Sequence, residues 1–115
     1  SLDLSHTLTA DSALASLKPL RNLRSLNLAN TLIEGPGLQS LTELTQLRKL
    51  TLDSTPLTNP GLAFIAKLPA LEDLSLRYTN LTDSAFTPIT ALTSLKRLDL
   101  MGVDLTDAAL EPIAK

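Results

Sequence analysis

The sequence has no cysteine and no tryptophan, and aromatic residues make up only 3% of its 115 positions. Without cysteine the chain has no disulfides, no thiol nucleophile and no thiolate metal site. No apolar run approaches the roughly 20 residues that a membrane-spanning helix requires, and no segment has the pattern of a signal peptide. So few aromatic side chains also argue against an irregular globular core, which normally uses them as large filling residues.

An excess of positive charge is also missing, since 10 basic residues face 12 acidic ones and the net charge is −2. Proteins that bind nucleic acids or anionic membranes generally rely on a strong basic excess. We therefore expect neither as a partner. One basic group does precede the predicted strands, with Glu72 and Asp73 interrupting it: Arg21, Arg24, Arg48, Lys49, Lys96 and Arg97. We interpret it as a solvated rim, with contact to an acidic partner as the alternative.

Leucine is abundant, and it is strictly periodic. A Leu-x-Leu element recurs every 24 residues, at Leu2/Leu4, Leu26/Leu28, Leu50/Leu52, Leu74/Leu76 and Leu98/Leu100. Two further apolar columns follow it, at Leu14, Leu38, Leu62, Phe86 and Leu110, and at Leu17, Leu41, Ile65, Ile89 and Ile113. A period of this length indicates a repeat architecture, in which identical layers stack on one another.

This pattern, L-x-x-L-x-x-L-x-L-x-x-T, resembles the leucine-rich repeat family over essentially the whole chain. The resemblance implies an α/β fold: a right-handed solenoid similar to a segment of the ribonuclease-inhibitor horseshoe, with parallel strands on the concave face and short helices on the convex face. The 24-residue unit is most similar to repeats of bacterial proteins, including plant-pathogen effectors. One departure is consistent: many members have Asn or Cys where this chain has Thr7, Thr31, Thr55 and Thr79, followed by Val103.

The residues of one unit independently predict a strand followed by a helix. Leu-x-Leu places both leucines on one face of a strand, and strands repeated at a fixed offset stack in parallel. A column of Asp11, Asn59, Asp83 and Asp107, with Gly35 in the second repeat, predicts helix N-caps. Pro36 and Pro60 fit the first helical position. We expect helices of roughly eight residues, distorted or partly 3₁₀ at Pro88 and Pro112.

Four columns around the strands vary between repeats while the leucine columns do not, and they include the residue types enriched at interfaces. They predict a partner-binding patch of Lys49, Asp53, Arg77, Tyr78, Arg97, Asp99 and Met101. The alternative is a solvated sheet face whose charges neutralise one another. The column His6, Asn30, Ser54, Tyr78 and Gly102 is interpreted as free to vary.

Other polar residues carry no chemistry that we would assign. The threonine column could be taken for a row of nucleophiles, but we expect each hydroxyl to bond the backbone where the chain leaves its strand. His6, the single histidine, has no nucleophile arranged beside it and no ligand spacing. We therefore predict no catalytic residue, no metal site and no cofactor.

We expect one leucine-rich-repeat domain over residues 1–115, with repeats at 2–25, 26–49, 50–73, 74–97 and 98–115. Both ends lack polar caps, which favours a segment of a longer array over ends that another chain covers, and which makes self-association through the ends an expected behaviour. The leading hypothesis is a non-enzymatic module that binds a protein through the concave face. Alternatives from the resemblance are the substrate-recruiting part of a larger enzyme, such as a bacterial effector ubiquitin ligase or an F-box-type adaptor, and ligand sensing at a cell surface. The sequence does not indicate a compartment.

Overall fold

The computed structural model describes residues 2–79, 81–82 and 92–103, and these form a stack of parallel strands with helices on one side. The strands are β1 (Leu2–Asp3), β2 (Ser25–Asn27), β3 (Lys49–Thr51), β4 (Asp73–Ser75) and β5 (Arg97–Asp99). They pair in parallel in chain order, and each leucine faces the one 24 residues further on, as Leu26 faces Leu50. The solenoid expected from the sequence is confirmed.

Backbone hydrogen bonds extend this pairing past the end of each short strand. Leu28 N–H donates to the Thr51 carbonyl at 2.8 Å, and Leu52 N–H donates to the Ser75 carbonyl at 2.9 Å. Two residues further along, Asn30 N–H donates to the Asp53 carbonyl at 2.9 Å. Neighbouring repeats are therefore joined over about six residues, although the strands themselves span two or three.

The core is one continuous column of leucine layers. The leucines of the Leu-x-Leu elements are buried from the second to the fourth repeat, where Leu28, Leu50 and Leu76 have no exposed surface. Burying one such side chain stabilises the fold by about 1.5–3 kcal/mol. Because every layer uses the same side chain at the same place, each repeat gains its burial from the repeats on either side.

Helical turns form the opposite layer, and they differ in type from the prediction. Two are 3₁₀ helices, Asp11–Leu17 and Pro36–Glu43, and one is an α-helix, α1 (Asn59–Ile65). Their buried apolar residues are three positions apart, as Leu14 and Leu17 are. A 3₁₀ helix superimposes residues three apart on one side, so this spacing suits it. The expected distortions at Pro88 and Pro112 lie outside the described residues.

The prediction that Asp11 and Asn59 cap their own helices is wrong. The residues at the N-cap positions are Ala10 and Thr58, and neither side chain caps its helix. Asp11 instead serves the next repeat, because its carboxylate accepts the backbone N–H groups of Glu34, Gly35 and Gly37 at 2.7, 3.0 and 2.7 Å. Asp83 and Asp107 lie outside the described residues.

Asn59 contacts the following repeat in the same way. Its side-chain oxygen accepts the Thr82 N–H at 3.1 Å, and its amide nitrogen donates to the Thr82 hydroxyl at 2.6 Å. The residue reached is 23 positions ahead in both repeats, since Asp11 reaches Glu34 and Asn59 reaches Thr82. At Asp11 and Asn59 this column therefore links consecutive repeats, whereas Gly35 is the N-cap of the second 3₁₀ helix, as predicted.

Two glycines let the second and third helical turns approach each other. Gly35 has a φ of +143°, and a Cβ there would lie 2.8 Å from the Gly61 Cα. A Cβ at Gly61 would in turn lie 2.6 Å from the Gly35 Cα. Any side chain at either position would push the two turns apart. The close packing of the turns therefore explains why Gly35 stands in the column that has Asp11 and Asn59 in other repeats.

Candidate functional site

The threonine column is structural. In three repeats the threonine is buried, and its hydroxyl donates to the carbonyl three residues earlier: Thr31 to Leu28 at 2.7 Å, Thr55 to Leu52 at 2.8 Å and Thr79 to Leu76 at 2.9 Å. Thr7 makes the same bond to Leu4 at the exposed first repeat. These hydroxyls are committed to closing the turn after each strand, as the sequence predicted.

The column just before these threonines is not free to vary, contrary to the sequence-based interpretation. His6, Asn30, Ser54 and Tyr78 have left-handed φ values of 58°, 55°, 55° and 57°, and Gly102 has a φ of 75°. A left-handed conformation costs a non-glycine residue about 1–2 kcal/mol. The backbone therefore favours Gly or Asn here, and Tyr78 occupies a position whose conformation is unfavourable for its type.

On the strand face, carboxylates of one column accept backbone N–H groups two residues further along. Asp3 accepts the Ser5 N–H at 2.9 Å, and Asp99 accepts the Met101 N–H at 3.1 Å. In the fourth repeat Ser75 occupies this column, and Asp53 of the previous repeat accepts the Arg77 N–H at 2.9 Å in its place. Asp53 also accepts the Ser75 hydroxyl at 2.6 Å. Asp53 and Asp99 therefore stabilise the backbone of the strand face through hydrogen bonds.

Arg77 and Asp99 form an ion pair across β4 and β5. The Arg77 Nε and Nη2 atoms lie 2.6 and 2.5 Å from the Asp99 Oδ2. This hydrogen bond, with a smaller contribution from the Met101 N–H, lowers the pKa of Asp99. The same bond raises the pKa of Arg77. Asp99 therefore stays ionised below its ordinary pKa of 3.8, and the pair is intact at neutral pH.

Lys49 and Arg97 are exposed, and neither has an ion-pair partner among the described residues. They flank Asp73 in the same column of the sheet. Together with Arg77 and Asp99 they line a shallow depression of about 470 Å³. Its remaining lining residues are Thr51, Asp73, Ser75 and Leu98. The prediction from the sequence omitted these four, although the regular spacing of the outward columns was a signal for Thr51, Asp73 and Ser75.

Tyr78 and Met101 lie at the other end of the same strands. The Tyr78 hydroxyl donates to the Met101 sulfur at 3.4 Å, and the two side chains remain 59% and 55% exposed. The Tyr78 ring lies over Gly102, because a Cβ at that glycine would overlap the ring, with Cε1 at 2.6 Å. Of the seven residues predicted for the patch, four line the depression and two form the pair of Tyr78 and Met101. The seventh, Asp53, supports the face through its hydrogen bonds to Ser75 and Arg77.

In the part of the chain that the structure describes, no group of three or more His, Asp or Glu side chains could hold a metal ion. The helices of this part are also too short and too polar to span a membrane. His6 lies in the left-handed turn of the first repeat, and it is not among the residues that line the depression.

Comparison with known proteins gives the family context. The model of the family described as Leucine Rich repeat matches residues 20–42 and 91–114. No curated protein matches the chain. A crystal structure of an internalin (inlF) from Listeria monocytogenes str. 4b F2365 superimposes with a TM-score of 0.55 at 21% identity, covering 87% of this chain and 34% of the internalin. The chain thus spans about a third of that structure's length. With its 24-residue period and its stack of parallel strands, the chain has the fold of a leucine-rich-repeat solenoid, and it is similar to the leucine-rich repeat family in the two segments that the family model matches.

Proposed function

We propose that the chain is a protein-interaction module and that its partner binds the concave face, the exposed side of β1 to β5. The fold is generally a non-enzymatic interaction scaffold, which supports the first part. The observation that carries the second is the pair of Tyr78 and Met101, which are large, exposed and held against each other. Aromatic and methionine side chains are enriched at protein interfaces.

The strained backbone of Tyr78 supports the same conclusion. Its left-handed conformation would be relaxed by glycine or asparagine, and Gly102 and Asn30 occupy the equivalent positions of other repeats. A tyrosine there costs stability without being buried in compensation. Strained residues persist where function requires the side chain, and recognition of a partner is such a requirement.

The test is site-specific photo-cross-linking in cells that express the protein. A benzophenone amino acid would replace Lys49 or Met101 on the concave face, or Gln39, which is exposed on the second 3₁₀ helix. We expect one protein adduct from the concave positions and none from Gln39. The double substitution Arg77→Ala and Tyr78→Ala should weaken that adduct without lowering the melting temperature. Adducts from Gln39 alone, or an adduct unaffected by the double substitution, would contradict the proposal.

The substrate-recruiting role in a larger enzyme, and any bacterial origin, stay predictions. Recruitment would use the same concave face, with the chemistry supplied by another domain. Within the described residues, the carboxylates of Asp53 and Asp99 on this face are engaged in backbone support or ion pairing. The module would therefore bind the substrate and leave the reaction to its neighbour.

A further inference from the structure

Building on the proposed function, we infer the kind of partner that the concave face recognises. The geometry points to an extended acidic segment of a partner protein, with an apolar side chain about four residues from its carboxylates. The carboxylates would meet Lys49 and Arg97, and the apolar side chain would meet Tyr78 and Met101. This assignment depends on how charge and apolar surface are distributed along β4 and β5.

Charge is distributed unevenly along the strand direction. The residues at the amino-terminal ends of β2 to β5 form what we call the basic rim, with five basic and two acidic side chains: Arg24, Arg48, Lys49, Lys96 and Arg97 against Glu72 and Asp73. All five basic residues are exposed. The chain as a whole has a net charge of −2, so its acidic excess lies elsewhere. The basic rim is thus the part of the surface that attracts negative charge.

Some cations in and next to the basic rim form ion pairs within the chain, and the others remain available to a ligand. Lys96 lies 3.7 Å from Glu72, and Arg77, next to the rim, is paired with Asp99. Lys49 and Arg97 have no such partner among the residues described here, and both line the depression. They are two strands apart, which corresponds to about 10 Å. A ligand with discrete carboxylates can approach both.

The acidic residues at the start of β4 lie between Lys49 and Arg97 and disfavour the binding of a polyanion. Asp73 lies between Lys49 and Arg97 in register, and Glu72 precedes it. A nucleic acid gains affinity by neutralising a continuous row of phosphates, and this row would meet two carboxylates at β4. A peptide can place its carboxylates on the two cations and leave a neutral group opposite Asp73. The charge pattern therefore favours an acidic protein segment.

The exposed Tyr78 and Met101 determine where the partner segment needs its apolar side chain. Met101 follows Arg97 by four residues along the extended chain, a distance of about 13 Å. Between them, Arg77 and Asp99 neutralise each other. A partner segment whose acidic part spans Lys49 and Arg97, and which then turns to run along β5, would meet the cations first, then the Arg77–Asp99 ion pair, and finally the exposed Tyr78 and Met101. The matching peptide has carboxylates and a large apolar residue about four positions apart.

The experiment uses a phage-displayed library of random peptides of about 12 residues, long enough to cover this distance. It is selected against the immobilised chain at low salt. We expect the enriched peptides to combine acidic residues with an aromatic residue or leucine. The variant Lys49→Glu with Arg97→Glu should bind them about ten-fold more weakly, and Tyr78→Ala should have a similar effect. Affinity should also fall as the NaCl concentration rises from about 50 to about 300 mM.

Lys18→Glu with Lys67→Glu is the matched charge control, because both lysines are exposed and lie just after the end of a helical segment, and we expect this double reversal to leave binding unchanged. Circular dichroism and urea unfolding would verify the fold of each variant, and Lys49→Gln with Arg97→Gln replaces the double reversal if that protein does not fold.

Two results would overturn the inference while leaving the proposed function intact. Enriched peptides without acidic residues that still require Tyr78 would show a concave site of different chemistry. Tighter binding of an oligothymidine probe than of any peptide, lost in the double charge variant, would assign the basic rim to nucleic acid. Peptides that are insensitive to every concave variant would contradict the proposed function as well.

Discussion

A single threonine hydroxyl closes the turn after each of the first four strands, and its contribution to stability depends on burial. Thr55 is 3% exposed, and its hydroxyl is bonded to the Leu52 carbonyl at 2.8 Å. Threonine and valine have nearly the same shape, so replacing one by the other removes the hydrogen bond with little change in packing. The row thus offers a direct measure of one buried side-chain-to-backbone bond.

We predict that Thr55→Val lowers the free energy of unfolding by about 1–3 kcal/mol, because a buried carbonyl loses its donor. Urea unfolding would measure the change. Thr7→Val is the control, since Thr7 makes the same bond at an exposed site where water can replace it. Equal losses for both substitutions would contradict the role given to burial.

The left-handed column connects backbone conformation with the presentation of Tyr78. We predict that Gly102→Ala lowers the free energy of unfolding by about 1–2 kcal/mol from the left-handed φ of 75°, and by more from overlap with the Tyr78 ring. It should also change the fluorescence of Tyr78, which is the single tyrosine in a chain without tryptophan.

A double-mutant cycle separates the two effects of Gly102→Ala. In a Tyr78→Ala background the ring is absent, so the part due to overlap should disappear and the part due to the φ angle should persist. Identical losses in the two backgrounds would mean that the ring does not rest on Gly102.

At the scale of elements, helix starts depend on the preceding repeat. We predict that Asp11→Ala destabilises the chain by about 1–2 kcal/mol, as loss of a cap does. The loss should appear as faster amide hydrogen exchange at Glu34, Gly35 and Gly37, which donate to this carboxylate. Faster exchange confined to residues 11–17 would instead mean that Asp11 caps its own helix.

Ser12→Ala is the matched control for this experiment. Ser12 is the next residue of the same 3₁₀ helix, and it is exposed. Its loss should leave exchange at the second repeat unchanged.

This linkage is a feature that the sequence could not predict. The acidic column and Pro36 correctly indicated where helices begin, because cap and proline preferences are local. Which N–H groups the Asp11 carboxylate meets depends on how closely the next repeat packs. Gly35 and Gly61 set that distance through backbone contact. The 3₁₀ form of two helices could not be predicted either, because all three helices bury residues three positions apart, as Leu62 and Ile65 are in α1, and this spacing does not distinguish a 3₁₀ helix from an α-helix.

At the scale of the whole molecule, stability should follow position in the stack. Leu52 has layers on both sides and no exposed surface, whereas Leu4 in the first repeat is half-buried. We predict that Leu52→Ala costs about 2–5 kcal/mol and that Leu4→Ala costs clearly less. Urea unfolding of the two variants would test this. A loss at Leu4 as large as that at Leu52 would show that stability does not depend on neighbouring layers.

The overall architecture could be predicted because the 24-residue period of the leucines places equivalent residues of successive repeats next to each other in the stack. The candidate site was predicted less completely. Lys49, Arg77, Arg97 and Asp99 were identified, and they line one depression. The support given by Asp53 to Ser75 and Arg77 was not foreseen, because it joins adjacent repeats. The left-handed turn at Tyr78 was also missed, since His, Asn, Ser and Tyr share no conformational signature in sequence.

The carboxylate of Asp11 also gives the array a direction. A ribosome makes the amino end first, so this carboxylate is already available when the backbone of Glu34, Gly35 and Gly37 emerges. The helical turn of the second repeat can then form against an acceptor that is already present, whereas with the opposite order of synthesis its three N–H groups would emerge before the carboxylate that accepts them. Loss of an early repeat would thus harm the helix that follows it, whereas loss of a late repeat would leave the earlier helix start complete. We therefore expect the helical turn of the second repeat to depend on the first repeat, and not the reverse.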